Sequence, residues 1–404
     1  MYPYGIEEAF AADAGGLELG MRLMLDPPRD RGLPDLGAPP VGPRESLNEL
    51  AGSVLSTATR LDAPGFFAHM DPATPWITWV AAQWAARLNQ NLLHEDTGAT
   101  ARELERRVIG VLAPIWGMDG GHLVPGSTVA NLTALWTARS VHGIDRVVAS
   151  DAAHVSVPKA ANLLGLGYRS VRTDALGRMD MNELGDVASA AVVLTAGTTS
   201  RGAVDPLERP AAPWVHVDAA WAGPLRISTK WGHLLDGVDM ADSVAVSAHK
   251  WLHQPKESAL VLFRDTRTAH EAISFGASYL SDPNVGLLGS HGYAALPLAA
   301  TIRAYGLQGI ASWIDHEMAL SLKLVDGIAS HQRLEQLGSG PGTGVIAWRH
   351  TNVPSRTIQR HLVDAFVSVT VIDDEDWLRS VAANPFADPD HVIAAVLAAA
   401  ERSN

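Results

Sequence analysis

Short apolar runs recur through the middle of the chain, separated by polar and small-residue segments. Each run is four or five residues long, as in strands that are buried on both faces of a sheet. Strands that alternate with helices or loops indicate a mainly parallel sheet covered on both faces. The predicted strands are residues 146–150, 168–172, 191–195, 214–217, 243–247 and 259–263.

Helical patterns precede and interrupt these strands, and the pattern changes near residue 298. From there a long helix over 298–330 leads into a region that alternates between strand and helix patterns. A Pro- and Gly-rich segment, residues 26–44, predicts an irregular arm, which could be a linker or could wrap around a partner subunit. The other predicted elements are helices at 46–61, 101–116, 128–142, 155–164, 356–365 and 389–402, and strands at 343–348 and 366–372.

These patterns predict an α/β protein with a mainly parallel sheet and a small α+β domain after it. We expect an N-terminal arm and helix over 1–60, which could contact a partner subunit. A large domain is expected over 61–300, and a linker helix with a small C-terminal domain over 301–404.

The composition narrows the classes of protein. The 404 residues carry a formal net charge of −13, so the acidic surface disfavours nucleic acid as a partner. The absence of cysteine excludes disulfides, thiolate metal sites and a cysteine nucleophile. The start MYPYGIEEAF does not resemble a signal peptide, and no apolar run is long enough to span a bilayer. We therefore expect a soluble cytoplasmic protein that binds neither nucleic acid nor membrane.

The first candidate for chemistry is Lys250 in SAHKW (247–251), which follows the apolar run 243–246. In α/β sheets ligands bind beyond the carboxyl ends of the strands. A lysine there can form an imine with an aldehyde once its pKa is lowered enough to expose a neutral amine. Most lysines are solvated surface groups. The apolar strand before Lys250 and Trp251 after it argue against that alternative.

Asp218 closes a second apolar run, in HVDAAW (216–221). A carboxylate at a strand end can accept a hydrogen bond from a protonated pyridine nitrogen, which keeps the ring electron-withdrawing. The alternative is that Asp218 caps the turn that follows it. The small residues Ala219 and Ala220 would let a flat ring approach closely.

A small, hydroxyl-rich turn opens the predicted helix at Ser127 and Thr128. Free N–H groups and the positive end of the helix dipole make an anion site there, although an ordinary helix N-cap is the commoner use of such residues. His154 follows the strand 146–150 and could stack on a flat ring or exchange protons. A histidine satisfied by hydrogen bonds within a loop is the alternative.

A Gly- and hydroxyl-rich turn, TAGTTSRGAVD (195–205), follows another strand and could bring Thr198 or Thr199 to the edge of a cofactor, or could be a simple polar turn. Each signal is weak alone. An anion-binding helix start, a histidine, a hydroxyl-rich turn, an aspartate and a lysine follow one another along the chain. A single site that uses all five would explain this order.

This ordered set resembles the group II pyridoxal 5'-phosphate (PLP)-dependent amino-acid decarboxylases, which have the aspartate-aminotransferase-like fold (fold type I). The resemblance runs from about Phe67 to Pro385, and its most specific segments are SAHKW, HVDAAW, GSTVANLTAL, HVSVPKAA and FFAHMDP. It implies that Lys250 forms the Schiff base, that Asp218 pairs with the pyridine nitrogen and that His154 stacks on the ring. It also implies further cofactor contacts from Ser127, Thr128, Thr198, Ala220, Ser247 and His249.

Other features follow from the resemblance or depart from it. By similarity, Tyr279 is a candidate proton donor, or else a tyrosine packed at a subunit boundary. His291 stands where relatives frequently carry arginine. Arg349 and Arg379 are candidate partners for a substrate carboxylate, with surface salt bridges as the alternative. The resemblance also implies a homodimer.

The predicted function is decarboxylation of an L-amino acid, with release of carbon dioxide and an amine. One alternative keeps the cofactor but changes the outcome, to aldehyde-forming oxidative deamination, desulfuration or another lyase reaction. A second is a protein that binds PLP without catalysis. A nucleotide-binding enzyme would need the P-loop spacing, which the sequence lacks.

Overall fold

The computed structural model describes residues 13–403, and these divide into two units between Arg60 and Leu61. The first unit contains helices α1 (Ala14–Leu25) and α2 (Pro43–Ser56). Helix α1 was not predicted. Helix α2 begins three residues earlier than expected because proline is well suited to the first helical position.

The Pro- and Gly-rich segment between these helices is irregular, as predicted. It packs on α2 through close backbone contact, since a Cβ atom added at Gly52 would lie 2.5 Å from the carbonyl oxygen of Arg29. The Ser53 hydroxyl donates a hydrogen bond to Asp30 at 2.7 Å. A partner-wrapping role for this segment stays a prediction.

A seven-stranded sheet is the centre of the second unit, and it confirms the predicted α/β class. The strand order is β1-β7-β6-β5-β4-β2-β3, with the five strands β3, β2, β4, β5 and β6 parallel and β7 antiparallel to both its neighbours. Strand β1 was not predicted. The strands are β1 (Gly120–Val124), β2 (Arg146–Ser150), β3 (Gly167–Val171), β4 (Ala190–Thr195), β5 (Trp214–Asp218), β6 (Ser243–Ser247) and β7 (Ala259–Phe263).

Both faces of the central strands β4, β5, β6 and β7 are buried, because successive side chains of one strand enter two different apolar clusters. In β6, Val244 and Val246 belong to one cluster and Ala245 to the other. This burial explains why the strands read as continuous apolar runs in the sequence. The helices of this region are α3 (Trp76–Leu88), α4 (Glu95–Leu112), α5 (Ser127–His142), α6 (Ser156–Leu163) and α7 (Thr266–Ala272).

The C-terminal part has a second, antiparallel sheet of four strands in the order β10-β11-β13-β12. Only β11 and β12 were predicted. A short hairpin, β8 (Ser274–Phe275) with β9 (Asn284–Val285), precedes this part. The remaining elements are α8 (Ala295–Ala329), β10 (Leu334–Gln336), β11 (Val345–His350), α9 (Ser355–Arg360), β12 (Ser368–Ile372), β13 (Glu375–Val381) and α10 (Pro389–Arg402).

The long predicted helix is not continuous. Helix α8 is broken at Gly306, whose φ of 65° and ψ of 175° are not helical. Glycine is the residue that adopts such a conformation without steric cost. Among the residues from 13 to 403, no helix is both long enough and apolar enough to cross a membrane.

Candidate functional site

Parallel strands β2, β4, β5 and β6 bring their carboxyl ends to one edge of the sheet, and a cavity of about 210 Å³ lies there. It collects eight of the nine predicted cofactor-binding residues from segments far apart in the sequence. The residues that line it are Met70, Gly126, Ser127, Thr128, His154, Thr195, Gly197, Thr199, Asp218, Ala220, Trp221, Ser247, His249 and Lys250.

Lys250 lies in a turn directly after β6, where its N–H donates to the Ser247 carbonyl at 3.3 Å. Burial lowers the pKa of its ammonium group, while the negative charge of Asp218 acts in the opposite direction. Lys256 and Arg379 lower the pKa further. A lowered pKa increases the fraction of neutral amine, which is the nucleophilic form.

Asp218 ends β5, next to β6, and its side chain is buried. One carboxylate oxygen, Oδ1, accepts a hydrogen bond from the Ala220 N–H at 3.1 Å. The other, Oδ2, accepts from Asn131 Nδ2 at 2.9 Å. Each oxygen keeps capacity for a further donor, since a carboxylate accepts about four hydrogen bonds. Asp218 can therefore bind a protonated ring nitrogen in the cavity.

A site that can bind an anion lies at the start of α5. Gly126 is the N-cap and offers no side chain to the first turn, so Ser127 and Thr128 provide the polar groups. The hydroxyls of Ser127 and Ser247 share a hydrogen bond across the cavity. His249 lies beside Gly126, and burial lowers the pKa of its imidazole to about 4, so the ring is neutral near pH 7.

His154 is exposed at the cavity entrance, and its Nδ1 accepts a hydrogen bond from the Ser156 N–H at 3.2 Å. Because a backbone amide can only donate, the neutral ring must carry its proton on Nε2. Desolvation lowers the pKa of His154, and the nearby charge of Asp218 opposes that effect. Desolvation therefore favours the neutral ring, whose Nε2–H is available to a ligand.

The turn after β4 brings Thr199 to the cavity and turns Thr198 away from it. The Thr198 side chain is buried, and its Oγ1 accepts the Ala203 N–H at 3.0 Å, which closes the turn. Gly197 has a φ of 96°, and a Cβ atom there would lie 2.8 Å from Trp221. Of the two threonines considered from the sequence, Thr199 is therefore the one that lines the cavity, and a cofactor contact from Thr198 stays a prediction.

Tyr279 lies outside the cavity lining, in the hairpin loop between β8 and β9. Its side chain is 70% exposed, and its ring centroid is 6.3 Å from that of His94. In the folded chain, this position does not bring the phenol to Lys250 or Asp218. A proton-donor role for Tyr279 stays a prediction.

The two candidate arginines differ in their partners. Arg349 is held by ion pairs to Glu335 and Glu375 and lies over the Trp377 ring, 4.1 Å from its centroid. Arg379 is largely buried and donates to backbone carbonyls, with NH1 to Thr199 at 3.1 Å. No carboxylate among residues 13–403 forms an ion pair with Arg379, and its buried Nε has no hydrogen-bond partner there.

His291 is separated from the cavity at Lys250. It lines a different cavity of about 360 Å³, together with Glu105, Gln254 and the small residues of α3. Its Nδ1 hydrogen-bonds to the Gly289 carbonyl at 2.8 Å. In this chain, His291 therefore does not take part in the anion site at Ser127.

Sequence reasoning assigned no role to Met70 and Thr195, which line the cavity, or to Asn131, which contacts Asp218 from behind the lining. Thr195 is the last residue of β4, so its position at a strand end could have identified it. Asn131 lies within the helical pattern, where its polar character between apolar neighbours is the only signal.

The fold and the cavity together are those of a PLP-dependent protein of fold type I. The chain belongs to the pyridoxal-dependent decarboxylase family, because the model of the "Pyridoxal-dependent decarboxylase conserved domain" matches residues 45–351. The sequence is similar to an aspartate 1-decarboxylase of Aliivibrio fischeri, with 31% identity over 61% of this chain and 55% of the relative. It therefore spans about half the length of that relative.

Two further relatives match over more of their length. An aromatic-L-amino-acid decarboxylase of Bacillus atrophaeus is 26% identical, over 85% of this chain and 82% of that protein. The crystal structure of Oryza sativa TDC with PLP and tryptamine superposes with a TM-score of 0.82 at 22% identity. That superposition covers 100% of this chain and 99% of the other, and it shows the shared fold.

The residues of the cavity fit PLP on structural grounds. Two buried polar atoms at the cavity, Nδ1 of His249 and Oγ1 of Thr195, have no hydrogen-bond partner among residues 13–403. Buried polar groups normally have partners, so these atoms are available to a polar ligand. The start of α5 matches the phosphate of PLP, the Asp218 carboxylate matches its pyridine nitrogen, and the Lys250 amine of lowered pKa matches its aldehyde.

Proposed function

We propose that this protein is a PLP-dependent decarboxylase of an L-amino acid, with the cofactor held covalently by Lys250. The observation that carries the proposal is that Lys250 and Asp218 line one cavity from the ends of neighbouring strands. An amine of lowered pKa and a buried carboxylate are the two groups that an aldehyde-bearing pyridine cofactor requires.

The phosphate of the cofactor would bind at the start of α5. Ser127, Thr128 and Ser247 offer hydroxyl donors there, and the helix dipole adds favourable charge. The neutral His249 could donate a hydrogen bond without bringing a second full charge close to Lys250. His154 would lie against the ring with its Nε2–H available.

When bound, the cofactor supplies an electron-withdrawing ring that accepts the electron pair left by the departing carboxylate. Asp218 would hold the proton on the ring nitrogen and so maintain that capacity. Lys250 would release the cofactor to the substrate amine and take it back at the end. Either Lys250 or His154 could return a proton to the substrate carbon, as could Tyr279 if its loop closed over the cavity.

Arg379 is the better candidate for a substrate carboxylate. Arg349 is already neutralised by two glutamates, whereas Arg379 has no ion-pair partner in the described chain. Burial lowers the pKa of Arg379, although the charge of Asp71 acts in the opposite direction, which marks a cation that would gain from an anionic ligand. His69, 3.4 Å from NH2, lies beside it. The relatives named above act on aspartate and on aromatic amino acids, and the substrate here is left as an L-amino acid.

The position of Tyr279 favours a second candidate outcome. Because Tyr279 is exposed and away from the cavity, the donor that would protonate the substrate carbon is not fixed by the folded chain. Slow protonation would leave time for another reaction on the same scaffold, such as aldehyde-forming oxidative deamination, in which dioxygen takes up two electrons as hydrogen peroxide and the amino group leaves as ammonia. A desulfurase or other lyase would use the same Lys250 and Asp218.

We also propose that the protein is a cytoplasmic homodimer. The exposed face of α3 supports the dimer, because it presents Trp76, Trp79, Trp84 and Leu88 to solvent at helical spacing. Exposed apolar patches of this kind are typical of protein interfaces, where tryptophan is enriched. The partner that would cover this face is a second copy of the same chain.

The test of the function is a product screen. Protein supplied with PLP is incubated with a panel of L-amino acids, and products are identified by mass spectrometry. Lys250→Ala should abolish product formation, whereas the matched control Lys230→Ala, an exposed lysine, should retain it. An amine lighter by carbon dioxide supports the decarboxylase. An aldehyde moves the protein to the second candidate, and cofactor binding without any product contradicts both.

A further inference from the structure

A continuous chain of buried hydrogen bonds joins Asp218 to His154 through Asn131, which has no exposed surface. Asn131 Nδ2 donates to Asp218 Oδ2 at 2.9 Å and to Ser156 Oγ at 2.9 Å. The Ser156 hydroxyl lies 2.8 Å from His154 Nδ1. Asp218 and His154, which both line the cofactor cavity, are therefore linked through the amide group of Asn131.

The orientation of that amide is fixed by Asp218, because a carboxylate can only accept hydrogen bonds. Asn131 Nδ2 therefore faces Asp218 and Oδ1 faces His216, so His216 Nε2 donates to Oδ1 at 2.9 Å. The neutral His216 then accepts at Nδ1 from the Ser243 hydroxyl at 2.8 Å. The Ser243 hydroxyl in turn accepts from the Trp214 indole N–H at 2.9 Å.

The neutrality of His216 agrees with this direction, because its complete burial lowers the pKa to about 4. Both hydrogens of the Asn131 amide then point towards Asp218 and Ser156. A flipped amide would set its oxygen against the Asp218 carboxylate and its NH2 group against the His216 N–H. Each hydrogen bond in the chain has one possible direction, so the network has a single arrangement.

We propose that Asn131 is a positioning residue that fixes the orientation of the Asp218 carboxylate and holds the Ser156 hydroxyl in place as a donor to His154. The inference rests on the proposed cofactor. Oδ2 of Asp218 is held by Asn131 and Oδ1 by the Ala220 N–H, so both oxygens of the carboxylate are fixed. The Ser156 N–H makes His154 Nδ1 an acceptor, so the Ser156 hydroxyl, which accepts from Asn131, donates to the same atom.

The first experiment measures PLP binding to the apoprotein by equilibrium titration, with Asn131→Leu compared with Thr137→Val. Thr137 is a matched control, because it is equally buried on α5 and bonds only to the Thr133 carbonyl of its own helix. Loss of a charge-assisted hydrogen bond should weaken PLP binding by roughly 10- to 100-fold in Asn131→Leu. Thr137→Val should bind as the wild type does.

The second experiment uses Ser156→Ala, which removes the hydrogen bond to His154 and keeps the Asn131–Asp218 bond. The readout is the pH midpoint of the visible absorption band of the bound cofactor. Loss of the hydroxyl donor makes His154 Nδ1 more basic, so a positive charge forms nearer Lys250 and the midpoint should move to lower pH. PLP affinity should stay near that of the wild type.

The outcomes are distinct. Unchanged PLP affinity in a folded Asn131→Leu variant would overturn the inference. If Asn131→Leu does not fold, an unchanged midpoint in Ser156→Ala overturns it instead. Failure of the wild-type protein to take up PLP on Lys250 would contradict the proposed function itself, independently of Asn131.

Discussion

Lys250 and Asp218 act on each other because their strands are hydrogen-bonded neighbours. Burial drives the lysine towards its neutral form, and the charge of Asp218 limits that shift. Asp218 in turn is buried with two N–H donors and no ion-pair partner in the described chain. Burial of a carboxylate costs free energy unless the charge is paired, so this arrangement is best explained by a cationic ligand.

Removal of the Asp218 charge should therefore impair catalysis more than folding. Asp218→Asn keeps the shape but loses the charge that holds a proton on a ring nitrogen. We expect kcat/KM to fall by about 100-fold or more, which corresponds to about 2.7 kcal/mol of transition-state stabilisation. Steady-state kinetics on the substrate found in the product screen would measure this. Asp236→Asn, at an exposed ion pair, should have little effect, and equal activity of both variants would contradict the assignment of Asp218.

Three elements meet at a buried pair of ionisable side chains close to Lys250. His253, whose φ of 55° is unusual for a non-glycine residue, lies in the turn after β6. Its Nδ1 donates to the Ala73 carbonyl at 3.0 Å, and its Nε2 forms an ion pair with Glu317 of α8 at 3.2 Å. The pair therefore ties the lysine turn to α8 and to the segment before α3.

This pair predicts a pH dependence of stability. Burial lowers the pKa of His253, but the charge and hydrogen bond of Glu317 outweigh it, so the pKa is raised. The stabilisation is fully present below the unfolded-state pKa of about 6.5 and is lost as pH rises through the higher folded-state pKa. Urea unfolding at a series of pH values should show this slope in the wild type and lose it in Glu317→Gln.

Removal of the carboxylate without replacement should be costly, because it leaves His253 without its buried partner. Glu317→Leu is expected to lose about 3–5 kcal/mol of unfolding free energy at pH 6. Glu335→Gln breaks a partly exposed ion pair with Arg349 and should lose about 1 kcal/mol or less. Similar losses in the two variants would show that the buried pair does not hold the lysine turn.

The break in α8 at Gly306 gives a second test at the level of elements. Its backbone lies in a region open essentially to glycine, so Gly306→Ala should destabilise the protein by about 1–3 kcal/mol. Gly110 is the matched control, because it is helical in α4 with open space around it. Gly110→Ala should stabilise by about 0.5–1 kcal/mol. Thermal unfolding would compare them, and equal effects would contradict the role of the break.

The sequence predicted those elements whose pattern is set by burial. Strands β2, β6 and β7 match their predicted limits, because both faces of the sheet are covered and the apolar runs are uninterrupted. Strand β1 was missed because GGHLV contains two glycines and a histidine, and its strand conformation depends on pairing with β7. Likewise, Gly306 reads as an ordinary helical position, since only tertiary structure selects its conformation.

The sequence could predict the site residues that lie at strand ends, but it could not predict the residues that hold them in place. Lys250 and Asp218 follow apolar runs, so their places at one sheet edge follow from the topology. Thr198 and Thr199 could not be told apart, because they are identical neighbours in one turn and only the folded turn decides which one faces the cavity. Asn131 could not be identified, because its partners come from strand β5 and helix α6, which only the fold brings together.

At the level of the whole molecule, the exposed face of α3 predicts a homodimer. Trp84 is 61% exposed, and replacing it with a charge should be tolerated in a monomer but not at a subunit boundary. We expect Trp84→Glu to shift the wild-type dimer towards monomer at micromolar concentration in analytical ultracentrifugation. Phe386→Glu, at an aromatic residue 63% exposed near α10, should leave the dimer intact. A monomeric wild-type protein, or equal behaviour of both variants, would show that α3 does not contact a second copy.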